Sequence, residues 1–211
     1  MDVAFIYDKI NTRIRRVFYR TFLWKYNFGA PVAKGIWEKQ FSEGTWDYLS
    51  LEDEQDHYLS VVKMYDDYVK GGSILDVGCG QGVLYSYLSK QEIPHSSYLG
   101  IDIASSAIQA AKTNHPNAAF QQLDFDSQSL LQKFDVIIFN ETLYYFNRPL
   151  NTLKKCIAKN LNSGGLILIS IVDYETNVFL LQKIKENYDR LGEEVVKNTH
   201  QQKWHICIFK P

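Results

Sequence analysis

This sequence predicts an α/β fold with a seven-stranded, mostly parallel sheet, on three observations. From Ser73 onward, short apolar runs alternate with segments of helical period, the pattern of right-handed strand–helix–strand crossovers. One of these runs, Ile74-Leu75-Asp76-Val77, ends in an acid and a turn with glycines at 78, 80 and 82. The last two runs, 193–198 and 203–209, are separated only by Thr199-His200-Gln201-Gln202, too little chain for a crossover, so an antiparallel last strand closes the sheet.

The elements follow in order. Ile6, Ile10, Ile14, Val17, Phe18 and Phe22 recur at three- and four-residue spacings, one face of a helix, with Arg13, Arg16 and Arg20 largely off it. Gly29-Ala30-Pro31 ends that helix. A second helix runs from about Leu51 to Val69, with Leu59, Val62 and Tyr65 facing in, Ser50 as its expected N-cap and Asp53 in the capping-box position. Strands are expected at 73–77, 97–102, 118–123, 134–140, 165–172, 193–198 and 203–209, and helices at 82–90, 105–113, 149–160 and 175–190. The chain thus divides into an N-terminal helical cap or lid, residues 1–70, and an α/β core, residues 71–211.

Composition narrows the function. The 211 residues suffice for one domain with a substantial core. With 23 basic and 24 acidic residues the formal net charge is -1, which gives no general electrostatic reason to bind nucleic acid. Cys79, Cys156 and Cys207 form neither a disulfide framework nor a zinc signature, so a reduced, cytoplasmic setting is expected and no metal. No apolar run approaches the ~20 residues of a membrane span, and Met1-Asp2-Val3-Ala4 does not read as a signal peptide.

The glycine turn is the chemical centre. A dinucleotide site wants Gly-x-Gly-x-x-Gly, whereas here the order is Gly78-x-Gly80-x-Gly82 with Val83 following. Asp76, two residues before the first glycine, would set a negative charge where a pyrophosphate belongs. A carboxylate beside a glycine turn suits a ligand with a cationic or hydrogen-donating part. S-adenosylmethionine has an ammonium, a sulfonium and two ribose hydroxyls, and no phosphate.

Ile74 to Gly82 resembles the first motif of the class I S-adenosylmethionine-dependent methyltransferases, and the likeness continues in order along the chain. It implies a Rossmann-like fold, S-adenosyl-L-methionine as cofactor and S-adenosyl-L-homocysteine as product, with Asp76, Gly78, Cys79, Gly80 and Gly82 at the turn. Tyr98 to Ala104 resembles the second strand, whose terminal acid, here Asp102 followed by Ile103, holds the ribose hydroxyls. Phe120 to Phe125 resembles the third strand, with Asp124 accepting from the adenine amine and Phe125 covering the ring; Asp126 competes for that role, and a helix cap before 127–131 is the plainer use of these acids. Phe134 to Glu141 resembles the fourth strand, with Asn140 facing the methionine part of the cofactor. Leu161 to Ser170 resembles the glycine turn and fifth strand, Gly164 and Gly165 supplying positive φ.

For the methyl acceptor the residues say less. Asn140-Glu141-Thr142-Leu143-Tyr144-Tyr145-Phe146 places Glu141, Tyr144 and Tyr145 where an acceptor proton can be taken, with packing as the competing role of each. The segment resembles the Glu-x-Leu-Tyr-Tyr stretch of NodS-type N-methyltransferases that act on a sugar amine. The Asn-Pro-Pro-Tyr tetrapeptide associated with planar amide or base nitrogens is absent. The expected function is methyl transfer to a hydroxyl or amine of a small molecule, a sugar or secondary metabolite; a protein or RNA methyltransferase, or a cofactor-binding partner subunit without turnover, are the alternatives. Trp46 and Tyr48 are expected to wall the acceptor pocket, and His57 to reach it if a lid closes. Between Lys9 and Lys25 there are six basic residues, no acidic one, and interleaved aromatics. The expectation is a lid whose apolar face closes over the cofactor, ahead of a membrane-surface helix or an anionic-substrate site, so no membrane partner is expected.

Overall fold

Buried parallel strands need apolar residues on both faces, and Ile74–Val77 is buried at every position, as is Tyr98–Asp102. The computed structural model describes residues 3–211, apart from the side chains of residues 3–9, 16 and 20. Helices α1 (Val3–Thr21), α2 (Lys34–Ser42) and α3 (Glu52–Val69) precede β1 (Ile74–Val77). Then follow α4 (Val83–Lys90), β2 (Tyr98–Asp102), α5 (Ser105–Asn114), β3 (Ala119–Gln122), β4 (Phe134–Asn140), α6 (Pro149–Asn160), β5 (Leu161–Val172), α7 (Glu175–Lys185), β6 (Asp189–Lys197) and β7 (Lys203–Lys210).

The seven strands lie in the order β3-β2-β1-β4-β5-β7-β6. The first five pair in parallel, and β7 inserts antiparallel between β5 and β6. The order runs outward from β1 on one side and from β4 on the other. The ends of these two strands therefore flank a crevice, where open α/β sheets bind ligands.

Helix α3 is part of the sheet's own core. Tyr58, Val61, Val62, Met64 and Tyr65 share one buried cluster with strands β1 to β5 and β7. Three acids, Glu52, Asp53 and Glu54, open α3, where the helix dipole favours negative charge.

Several local expectations differ from the structure. The N-cap of α3 is Leu51, without a side-chain cap, because the Ser50 hydroxyl donates to the Asp47 carbonyl, 2.7 Å, inside a preceding 3₁₀ turn. Strand β5 starts at Leu161, four residues early, pairing with Phe134 before a register shift. Of its two glycines only Gly164 has positive φ (78°); Gly165 is required by close approach, since a Cβ there would lie 2.9 Å from the Asp135 carbonyl. Helix α7 ends at Lys185, and the chain to Lys197 is used by a longer β6.

The largest difference is in α1. Among its described side chains Thr12 and Tyr19 are buried, whereas Ile10, Ile14, Val17 and Phe18, with Phe22 just beyond, are exposed. The apolar stripe faces away from the protein, the reverse of the orientation expected for a lid. Ile6, Arg16 and Arg20 of that expectation lie outside the described side chains.

Candidate active site

Two strand ends and the turns that leave them build the site. Asp76, the third of the four residues of β1, is fully buried and accepts a 2.7 Å hydrogen bond from the Tyr98 hydroxyl. Burial, countered by that bond and reinforced by nearby Asp102, pushes its carboxyl up to about 7. A cation settling beside it would restore its charge. The turn then folds tightly back on β2, the N–H groups of Gly78 and Cys79 both donating to the Ile101 carbonyl at 2.7 and 3.0 Å. Gly78 is irreplaceable twice over. Its φ is 78°, and a Cβ would sit 2.2 Å from the Thr142 methyl, while the Thr142 hydroxyl donates to the Val77 carbonyl at 2.7 Å.

Asp102 closes β2. Its Oδ2 accepts from the Gly80 N–H at 3.0 Å and its Oδ1 from the Ala104 N–H at 2.8 Å. A carboxylate has about four lone-pair sites, so two remain for a ligand with paired donors. Burial raises its pKa to about 6 against these two bonds. The N-terminus of α5 beside it is capped from a distance: Glu38 on α2 accepts the Ser105 and Ser106 N–H groups at 2.6 and 3.0 Å and the Ser106 hydroxyl at 2.8 Å. Partial desolvation opposes ionisation of Glu38, but these bonds prevail and hold its carboxyl below the usual range.

Asp124 and Phe125 follow β3. The Asp124 carboxylate accepts from the Asp126 N–H at 3.1 Å and the Ser127 hydroxyl at 2.6 Å, the self-capped turn that competed with a ligand role in the sequence, and no helix forms at 127–131. It still borders the cavity, with Phe125 edge-on to Phe146. Asp126 is used elsewhere, accepting from the Asn147 N–H and side chain at 2.9 Å each and from Thr152 at 3.2 Å.

At the end of β4, Asn140 Oδ1 is buried without a hydrogen-bond partner. Such an acceptor costs free energy unless a ligand donor meets it. Glu141 follows with φ 59°, left-handed for a non-glycine residue, its carboxyl turned into the cavity. The Tyr144 hydroxyl donates to Glu141 Oε2 at 2.9 Å, and Ser170 approaches Oε1 at 3.5 Å. Desolvation is the main cause that lifts the Glu141 carboxyl to about 8, with Glu54 adding to it. The Tyr144 hydroxyl is thereby committed to Glu141, while Tyr145 stands edge-on to Trp37, ring centroids 5.1 Å apart, as part of the wall.

Asp76, Asp102, Asp124, Phe125, Asn140, Glu141, Tyr144 and Tyr145 line one cavity of about 640 Å³, within the ~300–1,000 Å³ of small-molecule sites. Ile103 and Cys79 border it too. Trp46 and Tyr48 border it as expected, in an aromatic cluster with Trp37 and Phe41. His57 also reaches it without any lid movement. Its ring is 2% exposed, lies flat on Trp204 at 4.8 Å, and has no hydrogen-bond partner on either nitrogen. Glu54 Oε2 is 3.7 Å from Nδ1, too far for a hydrogen bond. Desolvation lowers its pKa to about 3, so the ring is neutral, with one donor and one acceptor to offer. Glu38, Glu54, Tyr58, Gln202 and Trp204 are site residues that the sequence reading missed. Glu54 alone had a signal, one helical turn before His57 on the same face.

Comparison with known proteins places this geometry. The methyltransferase domain family matches residues 69–208. A malonyl-[acyl-carrier protein] O-methyltransferase of Bacillus cereus is 30% identical over 173 residues, 76% of this chain and 62% of that protein. A ubiquinone biosynthesis O-methyltransferase of Glaesserella parasuis is 32% identical over 62% of this chain and 57% of its own length. The chain thus spans about three-fifths of these two relatives. Among solved structures, the N-methyltransferase NodS of Bradyrhizobium japonicum, in complex with S-adenosyl-L-homocysteine, superposes with a TM-score of 0.71 at 14% identity, covering 83% of this chain and 96% of that one. The magnesium protoporphyrin IX methyltransferase of Synechocystis PCC 6803, with the same molecule bound, gives a TM-score of 0.63 at 14% identity, covering 85% and 100%. At such identities the likeness speaks for the fold, and the family match over two-thirds of the chain speaks for descent. The chain belongs to the methyltransferase domain family, the class I S-adenosylmethionine-dependent methyltransferases.

Proposed function

We propose that this chain transfers a methyl group from S-adenosyl-L-methionine to a hydroxyl or amine of a small molecule, a sugar or secondary metabolite. One observation carries the reading. Beyond the β1 and β4 strand ends the cavity continues to Glu141, whose carboxyl is desolvated and titrates near 8, and to the buried, neutral His57, with aromatic walls around them.

The donor half of the cavity suits the cofactor. Asp102, with two lone-pair sites left, would hold the ribose hydroxyls. The unpaired Asn140 oxygen and the buried Asp76 would meet the ammonium end. Phe125 would cover the adenine, with Asp124 at its amine. When bound, the cofactor supplies a methyl group on a sulfonium, whose transfer is an in-line displacement.

On the acceptor side, Glu141 is the proton acceptor. With the carboxyl titrating near 8, the ionised form that receives the acceptor proton grows as pH rises toward and past 8. The acceptor proton would pass to the ionised Glu141 carboxylate. Tyr144 positions that carboxylate. Neutral His57 offers a donor and an acceptor to a second polar group of the substrate, and Trp46 and Tyr48 supply stacking faces. The residues before 71 act here as a cap that shapes the acceptor end.

Calorimetry with S-adenosyl-L-homocysteine tests the donor half. Tight binding to the wild type and loss in Asp102→Ala is expected, and binding to neither protein would remove the reading. For the acceptor half, methyl transfer to a panel of amino and neutral sugars is measured in wild type and His57→Phe. The variant should raise the acceptor KM while leaving homocysteine-product affinity unchanged.

A further inference from the structure

The outward apolar face of α1 is not absorbed by the site. Ile10, Ile14, Val17, Phe18 and Phe22 are 46–60% exposed. At about 100° per residue they occupy a stripe roughly 140° wide on one side of the helix. The anchored residues Thr12 and Tyr19, each 7% exposed, lie on the opposite side. The helix is thus held to the protein by one face and, over its described side chains, offers a largely apolar face to the outside. Asn11 and Thr21 also fall within that stripe; Asn11 borders the cavity, and the Thr21 hydroxyl already donates to the backbone carbonyls of Val17 and Phe18, at 3.2 and 2.9 Å, so it adds little polarity.

Charge decides what covers this face. Arg13 falls at one border of the stripe and Arg15 at the other, both exposed, and Lys25 extends the basic edge past the helix end. The segment from Lys9 to Lys25 holds six of the chain's 23 basic residues and none of its 24 acidic ones. Half-buried Trp24 and exposed Tyr26 follow, residue types that settle at a polar–apolar boundary. A second copy placed on the face by two-fold symmetry would set this basic segment against itself. An anionic surface complements it. Among the described residues no helix is long and apolar enough to cross a membrane, so the contact is one of lying on a surface.

We propose that α1 docks this chain on an anionic phospholipid bilayer, its apolar stripe sunk at the headgroup boundary and its basic borders on the lipid phosphates. Asn11, Thr12 and Arg15 of the same helix line the cavity, so docking sets the site beside the bilayer. The inference stands on the surface of α1 and is independent of the acceptor chemistry.

The test is co-sedimentation of the whole chain with vesicles of phosphatidylcholine alone and of phosphatidylcholine with about a third phosphatidylglycerol. Binding to the anionic vesicles is expected, weakened roughly tenfold without the anionic lipid or in high salt. The double variant Ile14→Glu/Val17→Glu should lose it while binding S-adenosyl-L-homocysteine like wild type, which shows that it is folded. Equal partition of wild type and variant, or no sedimentation of wild type with anionic vesicles, overturns the proposal. So does a wild-type dimer in light scattering that the double variant abolishes, an outcome that assigns the face to a second copy.

Discussion

Replacing Glu141 by glutamine tests the electrostatics of the site through stability alone, without knowledge of the acceptor. In the unfolded chain the carboxyl ionises near 4.5; in the folded protein, desolvation, opposed by hydrogen bonds from Tyr144 and Ser170, moves this to about 8. The folded state therefore keeps the proton that the unfolded state gives up. The stability from burying the neutral acid is fully present below pH 4.5 and is lost as pH rises toward 8. At 1.36 kcal/mol per pH unit, the interval corresponds to about 5 kcal/mol as an upper figure. Water admitted by the cavity reduces this, so a loss of roughly 2–3.5 kcal/mol between pH 5 and pH 8.5 is expected relative to the glutamine variant. Glutamine keeps an acceptor for the Tyr144 hydroxyl and does not titrate. Urea denaturation of the ligand-free proteins across this range supplies the numbers. Glu141→Gln should become progressively more stable than wild type as pH rises, and parallel curves would refute a buried neutral carboxyl. Under the proposed function, wild-type turnover should rise toward an apparent pKa near 8, and the variant should lose that dependence.

Three further predictions follow from particular contacts. Gly78→Ala meets both a left-handed backbone and a methyl 2.2 Å away, so a loss of ~2–5 kcal/mol in chemical denaturation is expected, whereas Gly164→Ala, with similar φ and nothing within 4 Å, should cost only ~1–2 kcal/mol. Asp102→Asn removes the charge from a carboxylate with two free lone-pair sites, and calorimetry should show S-adenosyl-L-homocysteine binding roughly 30- to 150-fold weaker, ~2–3 kcal/mol. Glu38→Gln leaves one acceptor where the α5 N-terminus has two and removes the favourable charge, for ~1 kcal/mol and a Tm lower by ~2–4 °C in a thermal scan.

The sheet and the acids at its strand ends were legible in the sequence because both are written locally. A parallel strand buried on two faces is a continuous apolar run, as in Ile74–Val77, and the acid that ends it sits next to it in the chain. The short Thr199–Gln202 link likewise announces a hairpin by its length. What was hidden depends on distant partners. Ser105 and Ser106 meet a cap 67 and 68 residues earlier in Glu38, and nothing in their neighbourhood signals it. His57 is buried because Trp204, from the last strand, lies flat against it. The period of α1 foretold an apolar stripe, but periodicity cannot say which face meets the protein, and Thr12 and Tyr19 hold it from the other side. Ser50 was a sensible cap until the Asp47 carbonyl claimed its hydroxyl.

The reach of Glu38 links the two halves of the cavity energetically. Helix α2 places Trp37 and Phe41 in the aromatic wall and, between them, Glu38 on the start of α5, three residues after Asp102. Whatever settles on Asp102 stiffens the helix start to which that wall is tied. Under the proposed function the wall would inherit its position from the donor side, and part of the ordering an acceptor requires would already be accomplished when the donor is in place. Such a shared cost is reciprocal by thermodynamic necessity: each ligand strengthens the other by the same factor.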